Sequence, residues 1–280
     1  MLKDTFGPSL FSDADPGVDA TSLRAVRING PDREETVDTV VNERPLTIFL
    51  KDTELVTLLC SPSDMEYLAV GFLFAEGFLH SKDDIKTTTI DTQRGVVRIT
   101  RKDEFPPDEV LFKRLITSAC GRGAAYYSTS DAQNLSPIES DLVISEPVVF
   151  SLLEKFNRQC HMFGATGGVH SAALADSNDI VVFKDDLGRH NAIDKVFGEC
   201  LLKGIPTADR ILITSGRSPS EMVLKAAKGR VPILISVGAT TDLSVKVAKN
   251  IGMTLVGFAR GKGMIIYSNE WRILRELCPR

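Results

Sequence analysis

Four runs of continuous apolar residues, Ile180 to Phe183, Ile211 to Thr214, Pro232 to Val237 and Thr254 to Phe258, are separated by amphipathic segments at Asn191 to Lys203, Pro219 to Lys228 and Leu243 to Ile251. A strand that carries apolar residues without alternation is buried on both faces, and helices on either side of a mostly parallel sheet are what bury it. Strand, helix and strand in succession join by right-handed crossovers. The second half of the chain therefore predicts a layered α/β sheet covered on both faces. The first half reads differently. Short strands are predicted at Val37 to Val41, Leu46 to Leu50, Leu55 to Leu59, Thr88 to Asp91 and Val96 to Thr100. One helix interrupts them. It opens at Ser63-Asp64-Met65-Glu66, the pattern of a capping box, with Leu68, Phe72 and Leu73 as its buried face.

The expected class is α/β, α+β overall. Residues 1–20, rich in Asp, Ser, Gly and Pro, are expected to form a mobile tail. A β-rich N-terminal domain is expected over residues 21–135 and a layered domain over residues 136–280, with no internal repeat. A net charge of −4 argues against non-specific binding to nucleic acid or to an anionic membrane. No apolar run reaches the length of a membrane span, and the start of the chain lacks the basic and hydrophobic regions of a signal peptide. A soluble, cytoplasmic protein is expected.

Five cysteines, Cys60, Cys120, Cys160, Cys200 and Cys278, are scattered without a C-x-x-C pair, so reduced thiols are expected in place of a disulfide framework or a zinc knuckle. Cys60 closes a strand-like run, and Cys160 and Cys200 end helix-like ones, which makes packing residues of these three. Cys120 stands apart. It lies in Thr117-Ser118-Ala119-Cys120-Gly121-Arg122-Gly123-Ala124-Ala125, where flanking glycines and an arginine favour an accessible thiolate. This loop falls at the junction expected between the two domains, a common place for a ligand cleft.

Four polar turns in the second half follow strands or precede helices. Gly164 to Ala172 brings glycines and His170, at the head of a helix-like segment; Asp185 to Asn191 brings Arg189 and His190. Thr214-Ser215-Gly216-Arg217-Ser218-Pro219-Ser220-Glu221 reads as a helix start, with Ser218 as N-cap, Pro219 as the first helical residue and Glu221 as the capping partner. Gly257-Phe258-Ala259-Arg260-Gly261-Lys262-Gly263 offers free amides, two cations and a ring suited to stacking on a base or pterin. Such turns gather at one sheet edge, so they predict a pocket for an extended, phosphorylated, aromatic molecule. Histidine is more often structural than catalytic, and His190, between Arg189 and Asn191, is the better candidate of the two. Zinc deaminase chemistry lacks its ligands, because no glutamate stands two positions after His170 and no Pro-Cys-x-x-Cys follows.

With these turns assembled, the chain resembles the formate dehydrogenase accessory sulfurtransferase family, the FdhD proteins. The resemblance runs from about Val40 to Tyr267. It is carried by Asn42-Glu43-Arg44-Pro45-Leu46, Leu68 to Leu73 with Glu76-Gly77, Thr117 to Gly121, Gly167 to Ala172, Gly188-Arg189-His190-Asn191-Ala192, Thr214 to Arg217 and Val256 to Gly261. It implies a carrier that takes sulfur as a persulfide on Cys120 from a cysteine desulfurase. The acceptor would be the molybdenum or tungsten bis-molybdopterin guanine dinucleotide needed by formate dehydrogenase. It also implies a homodimer, a zinc-free domain of cytidine-deaminase-like fold, and cofactor contacts from Phe258, Ala259, Arg260, Gly261, Lys262 and Gly263. Thr214, Ser215, Gly216, Arg217, Arg189 and His190 are the remaining candidates for the pocket. The chain departs from the family pattern Cys-Gly-x-Cys-Gly, with Gly123 at the second cysteine and Ala124 after it. A neighbouring thiol cannot resolve the persulfide, which leaves a one-thiol carrier. The alternative is a non-catalytic chaperone that holds the same cofactor for insertion into the dehydrogenase.

Overall fold

A computed structural model describes residues 19–103 and 136–275. Strands β1 (Ala20–Asn29) and β2 (Asp32–Val41) form a two-stranded antiparallel ribbon. Next comes a four-stranded sheet of order β4-β3-β6-β5, made from β3 (Arg44–Leu50), β4 (Thr53–Cys60), β5 (Ile85–Asp91) and β6 (Val96–Arg101). Helix α1 (Met65–Ala75) lies on this sheet, burying Leu68, Phe72 and Leu73 against Leu46, Ile48, Val97 and Ile99. Each such aliphatic side chain removed from water contributes about 2 kcal/mol.

The second sheet has six strands in the order β13-β12-β11-β10-β8-β9. Strands β10 (Ile211–Thr214), β11 (Ile233–Ser236) and β12 (Thr254–Arg260) run parallel, while β8 (His170–Ala175), β9 (Ile180–Asp186) and β13 (Gly263–Ser268) are antiparallel to their neighbours. Alternate residues of these strands go to opposite faces. Leu174, Leu212, Leu234 and Leu255 meet helices α4 (Arg189–Lys203), α5 (Ser220–Lys228) and α6 (Asp242–Asn250). Ala173, Ile211, Ile213, Ile233, Ile235 and Val256 meet α2 (Glu146–Gln159). The short α3 (His161–Thr166) leads into β8, and β7 (Ile144–Ser145) pairs with β14 (Ile273–Leu274) near the end of the described chain.

The two sheets are joined through their helices. A methyl at Gly71 of α1 would overlap the Asp194 carbonyl of α4, and one at Gly198 would overlap the Tyr67 carbonyl. The helices therefore approach backbone to backbone.

Several expectations are corrected. The apolar runs do become strands and the segments between them helices, but Ile180 to Phe183 joins the sheet antiparallel, next to a strand the pattern did not signal. His170 begins that strand instead of a helix, because it pairs with Asp186 of β9 and the strand goes on to pair with β10 from Ala172. Thr254 to Phe258 continues to Arg260 and turns into β13, so Gly257 to Gly263 is strand and hairpin more than loop. Helix α1 starts without the expected capping box. Its N-cap is Asp64, at φ 57°, and no side chain caps it. Tertiary partners win there: the Ser63 amide donates to the Asp19 carboxylate at 3.0 Å, and Lys184 donates to Asp64 at 2.9 Å.

Candidate functional site

The carboxyl ends of β10, β11 and β12, the start of β8 and the start of α4 lie along one edge of the six-stranded sheet. Continuous apolar strands end here in polar residues, as a buried parallel strand must when it reaches solvent. Thr214 is fully buried, and its hydroxyl accepts from the Gly216 amide at 3.2 Å, closing the first turn. Ser215 accepts from the Ser171 amide at 2.9 Å, and its hydroxyl lies 3.5 Å from Nδ1 of His170. Thr214 and Ser215 thus shape the edge, while Arg217 beside them is exposed. After β11, the Ser236 hydroxyl donates to the Gly216 carbonyl at 2.7 Å, tying the second turn to the first. The Gly238 carbonyl then accepts from the Phe258 amide at 2.9 Å, tying the third strand to the second. This Ser236 to Thr240 turn is a part of the edge that sequence reasoning missed, although its glycine directly follows an apolar run.

Close approach explains two glycines. A Cβ on Gly216 would stand 3.0 and 3.2 Å from the Cβ and Cδ of Arg189, so the arginine stem lies against the bare backbone of the turn. A Cβ on Gly238 would stand 3.0 Å from both the Gly216 carbonyl oxygen and the Arg217 amide nitrogen. Phe258 has φ 51° in a strand whose residues from Thr254 to Gly257 are all buried, and it is itself exposed. A phenylalanine in the left-handed region is held against its preference by its surroundings. Ala259 beside it is buried, and Arg260, Gly261, Lys262 and Gly263 are exposed where β12 turns into β13.

The electrostatics of the edge centre on the first turn of α4. His190 Nε2 and Glu221 Oε2 are 2.9 Å apart, joining α4 to α5. Chiefly through this hydrogen bond, with the charges of His190 and Arg189 adding to it, the Glu221 carboxyl is held below its ordinary range. Burial, then the charges of Arg189 and His190, hold the His170 imidazole below its ordinary value. The expected helix start is also corrected here. Helix α5 begins at Ser220 with Pro219 as N-cap and no side-chain cap. Glu221 is drawn to His190, and Ser218 is drawn into a bridge with Thr240. The Ser218 hydroxyl, in a fully buried residue, and the Arg189 Nε are buried without a hydrogen-bond partner.

Because the Glu221 carboxyl is depressed in the fold, its contribution to stability is present above the ordinary carboxylate range and disappears as pH falls through the folded value. Chemical denaturation of Glu221→Gln and of the unchanged chain is expected to show a deficit at neutral pH that closes in acid.

Cys120 and its loop lie outside the described residues. The other thiols in view suit packing: burial raises Cys60 and Cys200 to about 12 and pushes the half-buried Cys160 upward. Among the described residues no helix is long and apolar enough to cross a membrane.

A model described as the FdhD/NarQ family matches residues 41–274. A sulfur carrier protein FdhD of Bacillus pumilus (strain SAFR-032) is 40% identical over 238 residues, covering 84% of this chain and 90% of the relative. Its counterpart of the same name in Bacillus subtilis (strain 168) is 38% identical over 237 residues, with 84% and 90% covered. Among solved structures, one described as a formate dehydrogenase accessory protein from Desulfotalea psychrophila superposes with a TM-score of 0.76 at 25% identity. It covers 91% of this chain and 99% of that one.

Proposed function

The chain belongs to the FdhD/NarQ family, and from that premise we propose that it is a cytoplasmic sulfur carrier acting in formate dehydrogenase maturation. The Cys120 thiolate attacks the terminal sulfur of a cysteine desulfurase persulfide; a new sulfur–sulfur bond forms, the old one breaks and the desulfurase thiolate leaves. The sulfur–sulfur bond on Cys120 then breaks as the terminal sulfur passes to the reduced metal of the substrate, a molybdenum or tungsten bis-molybdopterin guanine dinucleotide, which supplies the two electrons that bring the sulfur to the sulfide level, and Cys120 leaves as the thiolate. No second thiol is needed, which accommodates Gly123. Oriented binding of the substrate supplies most of the rate, since holding two reactants in line replaces a bimolecular encounter. A homodimer, and a cytidine-deaminase-like reading of the six-stranded sheet and its helices, belong to the same proposal.

One observation carries the binding half of this reading: Arg189 Nε and the Ser218 hydroxyl are buried without partners at the edge where Gly216 and Gly238 clear the backbone and Phe258 exposes its ring. Buried donors without an acceptor are costly; Ser218 is out of a ligand's reach, and it is the part-exposed Arg189 whose guanidinium would engage a nucleotide diphosphate. Phe258 offers a stacking face for a base, with Arg260, Lys262 and Arg217 as exposed cations around it.

Titration of the full chain with guanosine diphosphate tests it. Binding is expected, weakened roughly 10- to 100-fold by Arg189→Ala through loss of charge-assisted hydrogen bonds. Phe258→Ala is expected to weaken it about tenfold through loss of stacking. No saturable binding by the unchanged chain would overturn the assignment of the substrate to this edge.

A further inference from the structure

Asp186 is fully buried, yet it touches no candidate ligand group itself. Its Oδ1 accepts from the Gly188 amide at 3.0 Å and from the Asn191 side-chain amide at 2.8 Å. Its Oδ2 accepts from the Ser61 amide at 3.2 Å and pairs with Lys195, also fully buried, at 2.7 Å. Asn191 reaches further, donating to the Leu59 carbonyl at 2.9 Å, and Lys195 donates to the Ser61 carbonyl at 3.4 Å and the Asp185 carbonyl at 3.2 Å. Seven residues, from the end of β4 and just beyond it, the end of β9, and the N-cap and first turns of α4, thus share one polar knot. Arg189 and His190 lie inside it in sequence, between Gly188 and Asn191. On the opposite side, Gly216 limits the Arg189 stem and Glu221 holds His190.

We propose that Asn191 and Asp186 are positioning residues for Arg189: they fix the turn from which the arginine reaches its ligand, and through Leu59 and Ser61 they key that turn to the four-stranded sheet. The inference rests on the reading of this edge as the anion-binding site. Pre-fixing matters because an arginine left free gives up rotamer entropy when it binds. An arginine whose stem is wedged against Gly216 and whose backbone is pinned at Gly188 has less to give up. The fixed turn at Gly188 does not itself bind anything, so its effect must pass through Arg189.

A double-mutant cycle on guanosine diphosphate affinity separates this role from a merely structural one, with the full chain and circular dichroism to verify folding. Asn191→Ala is expected to weaken binding about tenfold in the otherwise unchanged chain and to add nothing in the Arg189→Ala background. Asn191→Ser, which keeps a donor near Asp186, is expected to recover most of the affinity. Gly216→Ala disturbs the Arg189 stem from the other side without touching the knot, and is expected to show the same dependence on Arg189 even where Asn191→Ala folds poorly. Additive losses, with Asn191→Ala or Gly216→Ala weakening binding equally whether or not Arg189 is present, would overturn the positioning role while leaving the site itself in place. Absence of binding by the unchanged chain would overturn both.

Discussion

Cys120→Ala is expected to abolish maturation of formate dehydrogenase when it replaces the unchanged chain as the sole carrier in a cell, read as formate-dependent activity of the dehydrogenase. The expectation is total because no other thiol in view can stand in. Burial raises Cys60 and Cys200 to about 12. At neutral pH a thiol raised so far stays protonated, and the thiolate is the nucleophile. Cys160 is half-buried, raised by burial, and donates its hydrogen to the Phe156 carbonyl at 3.3 Å. The missing second cysteine at Gly123 sharpens the case further, since no neighbouring thiol in the loop can rescue the variant. Dehydrogenase activity persisting at its normal level with Cys120→Ala would favour the chaperone alternative, in which this chain holds the cofactor without carrying sulfur.

Lys195→Met is expected to destabilise the fold by about 3–5 kcal/mol, because it leaves the Asp186 carboxylate buried without its counter-charge. The methionine fills most of the lysine's volume, so a cavity contributes little and the electrostatic effect dominates. Adding Asp186→Asn to Lys195→Met removes the stranded charge and keeps one oxygen to accept from Gly188 and Asn191 while Ser61 loses its acceptor, and is expected to restore part of the loss. Urea unfolding of the unchanged chain and the two variants checks it; a deficit unaffected by Asp186→Asn would point to packing alone.

Much of the six-stranded sheet was legible because its parallel strands, such as Ile211 to Thr214 and Ile233 to Ser236, are buried on both faces and read as unbroken apolar runs. Strand β8 was not legible: His-Ser-Ala-Ala-Leu-Ala has small residues that suit a helix as well as a crowded sheet centre, and pairing with β9 and β10 decides between them. Ribbon strand β1 was hidden for the opposite reason, since most of its residues are exposed and no buried face imposes a pattern. At the site, glycine-rich turns after strands gave away Gly216 and the Phe258 segment, and the structure brings the Arg189, Gly216, Arg217 and Phe258 turns to one edge. What sequence spacing hid were partners distant along the chain. His190 meets Glu221 31 positions later, and Asn191 meets Leu59 132 positions earlier. Glu221 reads locally as a capping residue, and its tertiary partner His190 displaces that role.

The central claim is that one thiol, Cys120, carries the sulfur. Intact-protein mass spectrometry after incubation with a cysteine desulfurase and cysteine tests it most directly, with Cys120→Ala alongside. The account predicts a gain of one sulfur mass, removed by a reductant and absent from Cys120→Ala. No gain in the unchanged chain, from a desulfurase shown to load another acceptor, or an equal gain in Cys120→Ala, would contradict it.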